Sequence, residues 1–112
     1  MTSTVAGPRR AEIRLQVDLD AQNVATRIEW QADDAAGPSA CQSLMLAVWD
    51  SRTRTTAAID LWTRDMTVDD MNSFLYQVLY KMADTCLRAT KNEATAQSIR
   101  KLADQLGTSL GS

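Results

Sequence analysis

Residues 57–71, Ala-Ala-Ile-Asp-Leu-Trp-Thr-Arg-Asp-Met-Thr-Val-Asp-Asp-Met, change their hydrophobic period within a few positions. Ile59 and Leu61 alternate with Asp60 and Trp62, the two-residue period of a half-buried strand, which predicts a strand from Ala57 to Thr63. Thr67 then offers a hydroxyl to cap a helix by accepting from the backbone N–H of Asp70. Asp69 and Asp70 fall in the first helical turn, where carboxylates complement the positive end of the helix dipole. A strand, a polar corner and a long helix in this order require a fold in which a sheet meets helices.

The helix that starts here is the clearest element of the chain. Met71, Phe74, Leu75, Val78, Leu79, Met82, Cys86 and Leu87 trace one apolar stripe, so the pattern predicts a helix from Val68 to about Thr90. Lys91 and Asn92 interrupt it, and Asn92 can cap a last helix running to Gln105 or Leu106 with Gly107 at its C′ position. Upstream, Ile13, Leu15, Val17 and Leu19 alternate with polar residues from Glu12 to Leu19. A turn at 20–23 returns the chain as a second strand from Val24 to Ala32, with Asn23 suited to a left-handed conformation. Unbroken alternation would place Val24, Thr26, Ile28 and Trp30 on the core face. Between them and Ala57, residues 39–50 read two ways. Cys41, Leu44, Met45 and Val48 recur at helical spacing behind a possible Ser39 cap, favouring a helix from Ala40 to about Trp49, while the apolar run 44–49 also suits one arm of a hairpin.

The fold class expected is therefore α+β: a small, mainly antiparallel sheet made of a hairpin plus a third strand, two long C-terminal helices packed on one face, and a short helix before the third strand. With 112 residues, 45% hydrophobic and 23% charged, the chain is long enough for one core. Residues 1–10 read as a disordered arm and 11–112 as a single domain. A net charge of -2 gives no general attraction to nucleic acid or anionic lipid. The N-terminal stretch has no signal-peptide core, and no apolar run approaches a membrane span, so a cytoplasmic protein with no direct membrane insertion is expected.

The blocks Glu-Ile-Arg-Leu-Gln-Val-Asp-Leu-Asp (12–20), Arg-Ile-Glu-Trp (27–30), Leu-Ala-Val-Trp-Asp (46–50), Ile-Asp-Leu-Trp-Thr-Arg-Asp-Met (59–66) and Met-Ala-Asp-Thr-Cys-Leu-Arg-Ala-Thr (82–90) resemble the gliding-motility protein GldC family in order and spacing. The resemblance runs from about Ala11 to Gly111. It implies a small bacterial accessory protein that supports surface gliding, with other proteins of a gliding machinery as partners. The family carries no defined active site, so no functional residue transfers from it.

The residues themselves exclude much chemistry. Histidine is absent, which removes the commonest general base and metal ligand and leaves no Ser or Cys triad. Cys41 and Cys86 lie on apolar stripes and read as free, packed thiols. No glycine spacing forms a phosphate loop. No catalytic, cofactor-binding or metal-ligating residue is expected. The acidic corner from Asp60 to Asp70 supplies the alternative, a small-ligand or metal-binding module, although helix capping accounts for Asp69 and Asp70.

Trp62 is out of phase with Ile59 and Leu61 and should stand on the opposite face of the strand, where it is either covered within the chain or free to meet a partner. Trp62, Asp60 and Arg64 are the candidate protein-interaction residues, with Asp60 free to pair with Arg64 or with a base on a neighbouring strand. A homodimer across that face is a variant of the same reading.

Overall fold

A computed structural model describes residues 8–33 and 37–111. The chain forms two compact units that divide between Asp65 and Met66. The α+β class holds, with antiparallel strands first and two helices after them. Residues 1–7 of the expected N-terminal arm lie outside the described residues.

In the first unit, β1 (Ile13–Leu19), β2 (Ala25–Ala32) and β3 (Ser39–Cys41) make a three-stranded sheet with β2 in the centre. Asp20 builds the β1–β2 turn. Its Oδ1 accepts from the Gln22 and Val24 amides at 2.8 and 3.0 Å, and Asn23 takes the left-handed conformation with φ 64°. The turn chemistry is thus that of an aspartate folding its own following backbone.

The simple alternation expected of β2 fails at its start. Asp18 pairs with Arg27 but Leu19 pairs with Ala25, so Thr26 is an extra residue and the register shifts by one. Its hydroxyl donates to the Asp18 carbonyl at 3.2 Å. This bulge brings Ala25, rather than Val24 or Thr26, onto the face of Ile28. Ala25 is accordingly 4% exposed and Ile28 fully buried, in a row with Val17 and Cys41. Trp30, expected in the core, is 40% exposed.

Residues 39–50 are extended, not helical. β3 and β4 (Ser43–Asp50) are separated by a bend at Gln42, and the chain leaves the first sheet there to enter a second one. β4 pairs with β5 (Thr55–Trp62) as a two-stranded antiparallel ladder, in which Leu44 faces Leu61, Leu46 faces Ile59 and Val48 faces Ala57. The strand expected to join the first hairpin instead pairs with the segment read as a helix. Cross-strand pairing of these aliphatic side chains outweighs the helical spacing of Cys41, Leu44, Met45 and Val48. A four-residue loop closes the hairpin, with the Arg54 amide donating to the Asp50 carbonyl at 2.7 Å and Arg54 itself left-handed at φ 57°.

The second unit is a helical hairpin. α1 (Val68–Thr90) starts at Thr67, whose hydroxyl accepts from the Asp70 amide, and ends on a left-handed Lys91 with φ 59°. Asn92 then caps α2 (Glu93–Gly111) through the Thr95 amide at 3.0 Å. Ala83, Ala96 and Ala103 are fully buried, and a small-residue seam of this kind lets two helices approach closely. Outside the seam, Arg100 reaches Asp84 at 3.8 Å and Tyr80 donates its hydroxyl to Asp104. That hydrogen bond to a carboxylate pushes the Tyr80 phenol up to about 12. Tyr76 packs edge-on to Tyr80 with ring centroids 5.3 Å apart.

Gly107 was expected just past the end of the last helix, but α2 continues to Gly111 and Gly107 lies within it. The reason is contact: a Cβ at this position would stand 2.5 Å from Cε1 of Tyr76. Gly107→Ala is expected to destabilise the protein by about 1–2 kcal/mol, because overpacking outweighs alanine's better helix propensity. A lower urea midpoint with an unchanged m-value would show it.

Candidate protein-interaction surface

Three residues after β5 fix how its last side chains are presented. Thr63 is 4% exposed, donates its amide to the Gln42 carbonyl at 2.8 Å, and donates its hydroxyl to Asp65 Oδ1 at 2.6 Å. The Arg64 amide reaches the Ala25 carbonyl at 3.3 Å, and its guanidinium pairs with Asp20. Of the two partners expected for Asp60, Arg64 or a basic residue on a neighbouring strand, Arg64 is thus taken by Asp20. The chain turns after Trp62, and that turn aims the guanidinium at the carboxylate that also builds the β1–β2 turn.

Both carboxylates of this corner titrate below the ordinary 3.8. The Val24 amide is the main cause at Asp20, with the Gln22 amide and Arg64 adding to it against partial desolvation. At Asp65 the Thr63 hydroxyl leads, with its own amide and the Gln42 side chain adding.

Sequential side chains of the β4–β5 ladder alternate between two faces. One face carries Leu44, Leu46, Val48, Ala57, Ile59 and Leu61, with Asp50 opposite Thr55 at its loop end. The other carries Met45 opposite Asp60, Ala47 opposite Ala58, Trp49 opposite Thr56, and Trp62 opposite Ser43. Trp62 does stand away from Ile59 and Leu61. It is 54% exposed, with Trp49 at 58% and Met45 at 52%. Arg54 completes this face by placing its guanidinium 5.8 Å from the Trp49 ring. Asp60 is exposed and has no ion pair among the described residues. Trp62 and Asp60 thus share a face, while Arg64 belongs to the corner beneath it. Trp49 and Arg54 were missed as members of the surface because it exists only once β4 is a strand.

Other chemistry finds little to work with. Among the described residues no group of three Cys, Asp or Glu side chains is placed to hold a metal ion. Asp65, from the acidic corner, is engaged by Thr63. Cys41 and Cys86 are free and half-buried, and burial pushes the Cys41 thiol up from 9.0, away from the reactive thiolate. Along the helical hairpin, a shallow cleft of about 430 Å³ is lined by Val78, Met82, Cys86 and Ile99 with Lys81 as its one charged group.

A family profile described as gliding motility-associated protein GldC-like matches residues 25–112. The chain belongs to the GldC-like family. The matched range takes in β2 to α2 and begins after β1, so the Glu12–Asp20 block of the resemblance falls outside it. No curated protein and no solved structure matches the chain. GldC-like proteins are a gliding-motility family and not a known enzyme family. No described helix of this GldC-like chain is long and apolar enough to cross a membrane.

The depressed carboxylates give the corner a pH signature. Because the folded pKa values lie below the unfolded one, their stabilisation is present above about pH 3.8 and lost as the pH falls through the lower folded values. The thermal midpoint of the wild-type protein is expected to drop as the pH falls below about 4. Asp20→Asn should have a lower midpoint at neutral pH and a shallower acid slope, measured by far-UV melting across that range.

Proposed function

We propose that this GldC-like chain is a non-catalytic accessory protein of a bacterial surface-gliding machinery, and that it works in the cytoplasm by docking another protein on the Trp62 face of the β4–β5 hairpin. The observation that carries the reading is the half-exposure of Trp62, Trp49 and Met45 together on one face. Tryptophan is among the residue types most enriched at binding hot spots, and large exposed aromatics grouped on a rigid ladder favour a protein partner. Asp60 and Arg54 at this face supply the charges by which a partner would be chosen.

Family membership supports the setting, and the absence of histidine argues against acid–base catalysis as the contribution. Docking needs no closed pocket, which suits an open two-stranded ladder. The metal-binding alternative finds no support among the described residues, where no three acidic side chains are grouped to hold an ion and Asp65 is engaged by Thr63.

The test is genetic and structural together. In the native host, deletion is expected to reduce spreading on a surface, and the wild-type chain to restore it. Trp62→Ala should fail to restore spreading while its cellular level and far-UV spectrum stay at wild-type values. Full spreading by the Trp62→Ala strain would sink the docking reading.

A further inference from the structure

The helical hairpin carries an apolar surface of its own. Val78, Met82 and Cys86 follow one another at spacings of four residues along α1, so they form one row on its surface. Ile99 of α2 lines the same cleft, and Leu102 continues its row one turn later. Met82 and Leu102 are both more than half exposed. Large apolar side chains left open beside the seam of two packed helices make a groove into which a third helix fits.

The rim of the cleft sets the chemistry of that helix. Lys81 lines it, and Arg88 lies two turns further along the same row of α1, roughly 10.5 Å away along the axis. The Arg88 guanidinium donates to the Thr85 hydroxyl at 3.4 Å, and Thr85 is itself part of the cleft lining. Neither cation has an ion pair among the described residues. Asp84, which lies between them in sequence, is engaged by Arg100 at 3.8 Å. No acidic residue lines the cleft. The polar pairs of the hairpin, Arg100 with Asp84 and Tyr80 with Asp104, are made outside it.

We propose that this cleft receives an acidic amphipathic helix of another protein. Apolar residues of that helix at i, i+3, i+4 and i+7 meet Val78, Met82, Cys86 and Ile99. Carboxylates two turns apart on its flank meet Lys81 and Arg88, giving each cation the opposite charge it lacks within the chain. Methionine suits such a groove, because its unbranched side chain adapts to apolar groups of different shape. Two other occupants fit less well. A second copy, cleft against cleft, adds two more cations where two already have no ion pair. A flat anionic lipid surface matches the charge but does not fill a concave cleft of about 430 Å³. The cleft belongs to the second unit and the Trp62 face to the first, so this proposal and the docking reading stand or fall separately.

The test uses the whole chain and a fluorescein-labelled helical peptide of leucine, alanine and glutamate, about 18 residues long and built to this pattern. A second peptide carries lysine in place of every glutamate. Fluorescence anisotropy at about 50 mM salt is expected to show the glutamate peptide binding about tenfold more tightly than the lysine peptide. The double variant Lys81→Glu/Arg88→Glu should weaken the glutamate peptide about tenfold and bind the lysine peptide in preference. Both replaced side chains are exposed, so its far-UV spectrum should match the wild type. Bound glutamate peptide should also slow alkylation of Cys86, which lines the cleft, and leave Cys41 in the other unit unaffected. Equal binding of the two peptides, binding of neither, a preference that survives the double reversal, or no protection of Cys86 would each overturn the proposal. So would two alternative occupants: a chain that dimerises in sedimentation with Cys86 protected and excludes the peptide, or one that binds phosphatidylglycerol vesicles but no peptide.

Discussion

The first unit depends on one short polar corner. Between the last residue of β5 and the end of the unit, Thr63 donates its amide to the Gln42 carbonyl and its hydroxyl to Asp65, while Arg64 satisfies the Ala25 carbonyl with its amide and the Asp20 carboxylate with its guanidinium. The Gln42, Ala25 and Asp20 acceptors come from the bend where one strand leaves the first sheet, from the start of the central strand, and from the β1–β2 turn. Thr63 is the one polar residue buried among those described, and both its amide and its hydroxyl are paired. A buried donor left without a partner costs on the order of 1–3 kcal/mol, so this pairing ties the two-stranded ladder to the three-stranded sheet. A hairpin standing alone would be marginal in water.

How far the sequence discloses this depends on the range over which each element is decided. α1 was legible because its stripe, its Thr67 cap and its first-turn acids are local and agree with one another. The Asn92 cap and the left-handed Asn23 were legible for the same reason. β4 was not, because Cys41, Leu44, Met45 and Val48 fit a helical template as well as a strand. Only pairing with Ile59 and Leu61 distinguishes the two, and that pairing is non-local. The run 44–49, without a polar residue and followed by a polar stretch before a second apolar run, was the one available signal.

The remaining mismatches have the same origin. Nothing near Thr26 announces that it is an extra residue, since the alternation can be continued through it on paper. The bulge becomes visible only when Leu19 is found opposite Ala25. Gly107 at the end of an apolar stripe looks like a helix terminator, but it is the ring of Tyr76, on the other helix, that requires a residue without a Cβ. Arg64 had a nearer carboxylate in sequence at Asp60 and pairs instead with Asp20, 44 residues away. Of the candidate site, Trp62 and its face were legible from the two-residue period. Trp49 and Arg54 depended on β4 and were not.

The two faces of the β4–β5 ladder place different demands on whatever meets them. The aliphatic face is uniform from Leu44 to Val48, with Asp50 and Thr55 only at its loop end, so any apolar surface of the right shape gains about as much there as any other. The Trp62 face is not uniform: Asp60 lies among Met45, Ala58 and Trp62, and a partner lacking an opposing donor would bury it unpaired at a cost of several kcal/mol. An isolated carboxylate inside an apolar face thus works against indiscriminate association, as inward-pointing charges do on exposed strands. The same carboxylate becomes favourable when a cation arrives at the correct spacing. On the same face, Arg54 has a left-handed backbone and its guanidinium lies against the Trp49 ring. A side chain already fixed in place loses less freedom on association. In the docking we propose, Asp60 and Arg54 choose the partner and the tryptophans supply area.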